Sequence, residues 1–205
     1  MNVRPDERRS DDRVRQSLYA RAEEAARAFF AEHFGDVCAC CYRASELRGD
    51  PSFCCCRRTN FVPEVTVDPL LGALAEESMG RTLLHLYGMP RRDGCAALGP
   101  TGCLIPFGRP DACNTYVCDH LYRCMAAVLP PELILRLGEA LDVFTTLRTP
   151  AGVPTHALAA GVEALVELLR EASENLQRAK GTFTRQKAEV MAEMLPPGVE
   201  PPAPP

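Results

Sequence analysis

The segment Gly102–Cys118, GCLIPFGRPDACNTYVC, sets three cysteines at intervals of ten and five residues among glycines and prolines, and it constrains the chain more than any other feature. Thiols so spaced can form a disulfide frame, a metal site or part of a buried core. At 205 residues the chain is long enough to bury a core without cross-links. Its 11 cysteines are odd in number and below the density of a disulfide scaffold, so complete intrachain pairing is impossible. The N-terminal MNVRPDERRSDDRVRQ is charged and lacks an apolar core, which predicts no signal peptide and a reducing, cytoplasmic setting. Thiols there are more often metal ligands or catalytic groups than bridges.

Other partner classes are poorly supported. No run of eighteen apolar residues exists, so no membrane span is predicted. A net charge of -4 and a pI near 5.6 argue against nucleic acid as the main partner, although CCCRR and MPRR concentrate positive charge locally. With no Trp and few other aromatics, platforms for stacking bases are scarce.

The pattern along the chain predicts a mostly α fold: a small helical domain with two irregular Cys-rich loops that form a metal or iron–sulfur site. Residues 1–11 are expected to be disordered, 12–195 to form one domain, and 196–205, PPGVEPPAPP at its core, to be a polyproline-like disordered tail. Asp12 caps an amphipathic helix bearing Val14, Leu18, Ala22, Ala25, Phe29 and His33 at helical spacing. Residues 35–63 hold six cysteines among turn formers and are expected to be irregular. Asp68-Pro69 opens a helix to Gly88, followed by a second irregular segment over 89–111. A short helix is expected from about Cys113 to Val128, another from Pro131 with Leu133, Leu137, Leu141 and Phe144 on its face, and a long one from Pro154-Thr155 interrupted near Gly181. FVPEVTV, residues 61–67, is the one alternating stretch and is too short for a sheet core.

Cys95, Cys103, Cys113 and Cys118 are the first candidate ligands. Four thiolates satisfy a tetrahedral zinc ion or an iron–sulfur cluster, and both need ligands delivered by turns, which Gly94, Gly99-Pro100, Gly102, Pro106, Gly108 and Pro110 supply. Cys113 and Cys118 sit at a loop-to-helix junction, where a helix N-terminus favours thiolate. In the early group, Cys38-x-x-Cys41 has chelate spacing, and Arg57-Arg58 after Cys54-Cys55-Cys56 would stabilise thiolates. Three adjacent cysteines do not readily bind one ion, so some of this group are spectators. Cys40 and Cys124 are better read as small buried hydrophobes, His33 and His85 as core-edge residues, His120 as a solvent-facing side chain and His156 as part of a helix start.

The run Cys95-Ala-Ala-Leu98, Gly102-Cys103, Arg109-Pro110, Cys113 and Tyr116-x-Cys118 resembles the signature of the YkgJ-type cysteine-cluster family. Its members are described as zinc- or iron-chelating proteins, and flagellin lysine N-methylases carry a similar cluster. The resemblance covers about 24 residues and the upstream Cys-rich stretch, where the family's C-x-x-C and Cys-Cys doublet would correspond to Cys38, Cys41 and a doublet such as Cys55-Cys56, here separated by an insertion. It implies a zinc or iron–sulfur centre, with Arg109 offsetting thiolate charge and Tyr116 packing over the site. Two function classes follow. One is a metal-binding protein whose helical faces serve a protein partner; the other is a cluster-dependent enzyme of redox or group-transfer type, such as protein methylation. A thiol-based redox sensor centred on Cys54–Cys56 is a third.

Overall fold

The computed structural model describes residues 5–50, 68–79, 98–99, 102–103, 107–109, 111–149 and 152–201, of which 5–10, 75–79, 98–99, 102–103 and 112 are described by backbone alone. The described chain is mostly helical. Its longest element, α1 (Pro5–Arg48), has 44 residues and at 1.5 Å per residue is about 66 Å long. It starts before the expected Asp12, which instead pairs with Arg15 inside the helix.

The early cysteines required a correction. Cys38, Cys40 and Cys41 were expected in an irregular loop; they lie on α1, which continues without a break to Arg48. Counted as an apolar residue, Cys41 completes the series Phe34, Val37, Cys41, Ala44 at intervals of three and four, and all four are buried. Core contact along that stripe outweighs the cost of Gly35 in a helix, about 1 kcal/mol. The helix stops at Gly49, whose φ is 62°; its N–H bonds to Glu46 O at 3.2 Å and that of Asp50 to Ser45 O at 3.1 Å, a pairing that satisfies the last carbonyls.

The next described element, α2 (Pro69–Met79), opens as expected: Asp68 Oδ1 accepts from the N–H groups of Leu70 at 2.9 Å and Leu71 at 3.3 Å. Two short strands, β1 (Leu98–Gly99) and β2 (Gly102–Cys103), pair antiparallel with Leu98 opposite Cys103. The single helix expected near 113–128 is two, α3 (Asp111–Thr115) and α4 (Asp119–Ala126), separated by Tyr116–Cys118. The helix from Pro131 is likewise divided at Asp142 into α5 (Pro131–Leu141) and α6 (Val143–Arg148). Finally α7 (Thr155–Arg178) and α8 (Lys180–Met194) meet at Ala179, two residues before the glycine expected to interrupt them.

Cross-helix pairs rise together in number: Arg21 with Glu163, His33 with Ser173, Asp36 with Lys187, Cys40 with Met191 and Arg48 with Met194. So α7 and then α8 run parallel to α1 and together cover most of its length. Ala22 and Ala26 on α1 are small enough to let Leu158, Val162, Leu165, Leu169 and Ala172 of α7 pack closely, and all are buried. At the edge of the same stripe, Gly161 admits α6: a Cβ there would sit 3.1 Å from Val143 Cγ2. The tail turns back onto the helices: Val199 packs on the core, and Glu200 O accepts from Arg43 at 3.0 Å, so the expected disorder does not extend over 196–200. The alternating stretch 61–67, His85 and the expected helical stretch 80–88 lie outside the described residues.

Candidate metal centre

The site is built on α1. Its buried stripe carries a carboxylate, Glu23, between Ala22 and Ala26, only 2 % exposed. A buried ionisable carboxyl costs several kcal/mol unless it is hydrogen-bonded, and Glu23 is heavily bonded. Its Oε2 accepts from the N–H of Gly108 at 2.6 Å and its Oε1 from the N–H of Arg109 at 2.9 Å and from Asn114 Nδ2 at 3.2 Å. One turn earlier, the Tyr19 hydroxyl donates to Arg109 O at 2.5 Å and accepts from Asn114 Nδ2 at 3.3 Å. Both polar groups of the Arg109 backbone are therefore held by α1. Gly108 has φ 84°, a left-handed turn that suits glycine and aims its N–H at the carboxylate. Burial pushes the carboxyl of Glu23 above the usual range, and the bonds from Gly108 and Arg109 pull it back; burial likewise raises the Tyr19 hydroxyl, which stays protonated as a donor.

A second tie lies at the end of α6. Arg148 Nε bonds Asp68 Oδ2 at 2.8 Å, and its Nη1 bonds Asp111 Oδ1, so one guanidinium joins the start of α2 to the start of α3. Arg15 of α1 closes the corner by donating to Leu147 O at 3.0 Å and Arg148 O at 3.3 Å. The residue before Cys113 by two is thus anchored from one side, and the residue after it, Asn114, from the other.

From this corner the chain climbs along α1. Cys118 is the N-cap of α4, and its O accepts from Tyr122 N at 2.9 Å. Cys124, further up α4, is close enough to Cys118, Asp36 and Lys187 to feel their charges. That brings α4 to the stretch of α1 that carries Cys38 and Cys41. Cys38, Cys113 and Cys118 are half-buried; Cys41 is buried at 6 % exposure and faces the core. Cys40 and Cys124 are fully buried, Cys40 Sγ lies 3.6 Å from Met191 O, and burial pushes both thiols up to about 11. They behave as apolar side chains.

Among the described residues, no three Cys, His, Asp or Glu side chains are gathered as ligands of one ion, and no disulfide joins two of the six cysteines whose side chains are described. Cys55, Cys56 and Cys95 lie outside the described residues, and Cys103 is placed by backbone only, opposite Leu98. Tyr116, expected to pack over the site, is 57 % exposed. His33 is buried, with Nε2 2.7 Å from Ser173 Oγ, and His156 lies exposed in the first turn of α7. The polar residues that organise this region, Tyr19, Glu23, Asn114 and Arg148, were not among the expected ones. Glu23 had a readable signal, since a charged residue falls on the Tyr19-Ala22-Ala26 stripe. Arg148 had none.

No described helix is long and apolar enough to cross a membrane. Compared with known proteins, the chain matches no family model, no curated protein and no solved structure.

Proposed function

We propose that the chain is a metal-binding cysteine-cluster protein of the YkgJ type, holding zinc or an iron–sulfur centre between α1 and the segment that leads through Cys103, Cys113 and Cys118. The observation that carries this reading is the anchoring of that segment on the helix that bears Cys38 and Cys41. Its Gly108–Arg109 backbone is bonded to Glu23 and Tyr19, and its Cys118 reaches the neighbourhood of Cys124, which in turn lies near Asp36 of α1. Cys38, Cys113 and Cys118 retain partial exposure, which ligand exchange with an incoming ion requires, while Cys40 and Cys124 do not.

In this reading the ligands come from Cys38, Cys41, Cys55, Cys56, Cys95, Cys103, Cys113 and Cys118, divided between two centres, because Asn114 holds Cys113 at the level of Glu23, about 22 Å along α1 from Cys38. The bound metal would supply either a structural cross-link or redox chemistry, according to whether its ligands are saturated. Arg109 lies close enough to act on Glu23's charge, and in this reading its guanidinium would also offset the charge of the thiolates. Anaerobic purification with an optical spectrum and metal analysis tests the proposal. Stoichiometric zinc in a colourless protein, or iron and sulfide with broad visible absorption, is expected; protein free of both metals that takes up neither on addition contradicts it.

A further inference from the structure

We infer that Glu23, with Tyr19 and Asn114 beside it, is a positioning residue that fixes the height at which the segment bearing Cys113 and Cys118 lies along α1. The inference rests on the metal-binding reading for its consequence, not for its geometry. An apolar residue at position 23 would fill the stripe between Ala22 and Ala26 as well as Glu does, and without the cost of burying a carboxyl. What a carboxylate adds is direction. Its two oxygens accept two consecutive backbone N–H groups, at 2.6 and 2.9 Å, which sets both the position and the rotation of the Gly108–Arg109 peptide. Tyr19 takes the Arg109 carbonyl from one helical turn away, so the turn cannot slide along α1 without breaking bonds at both levels. Asn114 Nδ2 reaches Glu23, Tyr19 and Arg109 O at 3.2, 3.3 and 3.4 Å. Because Asn114 directly follows Cys113, the same three groups set where that thiol stands. Of the four buried polar residues in the described chain, two are Glu23 and Asn114, so this is where burial of polar groups is concentrated.

The test uses the full chain and two variants. Glu23→Gln keeps the shape but turns an NH2 group toward a backbone N–H, leaving a buried donor unpaired. Tyr19→Phe removes only the hydroxyl and serves if the first variant does not fold. Leu176→Ala, at the far end of α7 beside Gln177, which bonds Glu32, supplies a destabilised control away from Glu23. Two readouts are taken. In metal-free protein, the rate at which iodoacetamide labels Cys113 is followed by peptide mass spectrometry. In cobalt(II)-loaded protein, the thiolate-to-cobalt absorption is followed under chelator challenge. We expect Glu23→Gln to label Cys113 and release cobalt about tenfold faster than the parent, the size of effect an unpaired buried donor produces. Leu176→Ala should leave the cobalt spectrum unchanged. Cys113 labelling at the parent rate in both Glu23→Gln and Tyr19→Phe overturns the inference. Failure of the parent chain to bind cobalt overturns the metal-binding reading instead, and the labelling rates then decide the positioning role by themselves.

Discussion

Cys40 and Cys41 are neighbours on one helix with different surroundings: one thiol contacts the carbonyl of Met191 from a fully buried position, the other lies on the stripe of Phe34, Val37 and Ala44 at 6 % exposure. Cysteine's role is thus decided by exposure and local charge, neither of which its spacing in sequence reveals. Burial raises the thiols of Cys40 and Cys124 to about 11, so at neutral pH they are protonated and poor nucleophiles. In folded, metal-free protein at pH 7.5, iodoacetamide should label Cys38 and Cys118 at least about tenfold faster than Cys40 and Cys124. Equal rates at all four would mean that the core admits reagent there. The reading of Cys40 and Cys124 as apolar residues was available from sequence; the burial of Cys41 was not, because the same C-x-x-C spacing serves both a chelate and a helix stripe.

At the scale of elements, the joint where α1, α7 and α8 meet is organised by His33. Its Nε2 lies 2.7 Å from Ser173 Oγ of α7, and its ring packs edge-on against Phe29 and Phe183. Lys187 of α8 donates to His33 O at 3.1 Å and to Asp36 at 2.6 Å, with Glu32 Oε1 3.8 Å from the ring. Burial lowers the imidazole below its ordinary value of 6.5; Glu32 opposes this and Lys187 adds to it. The folded state therefore binds this proton less readily than the unfolded chain. Stability from this group is complete above about 6.5 and is lost as pH falls through that value, levelling off below the folded one. The melting temperature should drop between pH 7.5 and 5.5, and His33→Gln, which can still bond Ser173, should drop less over the same interval. Parallel curves for the two proteins would remove His33 from the account. Helix existence was legible here, because Phe29 and His33 keep the helical interval. The extension of α1 past Gly35 was not, since thiols taken as ligands no longer count toward the apolar period, and the division of the later helices at Asp142 and at Tyr116–Cys118 depends on packing that no local signal announces.

Across the whole molecule, α1 is a beam of about 66 Å with α7 and α8 laid parallel along it. The short helices and the strand pair carry the later cysteines against its flank. Sequence periodicity identified the apolar faces of α5 and α7, whereas on α1 Val14 is exposed and the buried stripe runs through Tyr19, Ala22, Ala26 and Phe29; nor did it show that α1 and α7 lie side by side in the same direction. That arrangement depends on Ala22 and Ala26 of α1 and Gly161 of α7 allowing close approach, a property of pairs of surfaces. The turn-rich character of the Cys103–Cys113 stretch was legible from its glycines and prolines; its anchor, Glu23, lies 85 residues from Gly108 and had no local trace beyond a charge on an apolar stripe. If metal held by the cysteines joins that stretch to α1, as proposed, its binding energy becomes folding energy. The most direct test is the thermal unfolding of anaerobically purified protein before and after verified removal of its metal. The account predicts a midpoint at least about 5 °C lower in the metal-free protein, since 1 kcal/mol moves a chain of this size by about 2–4 °C, with recovery on restoring the metal. Superimposable curves for loaded and metal-free protein would contradict it.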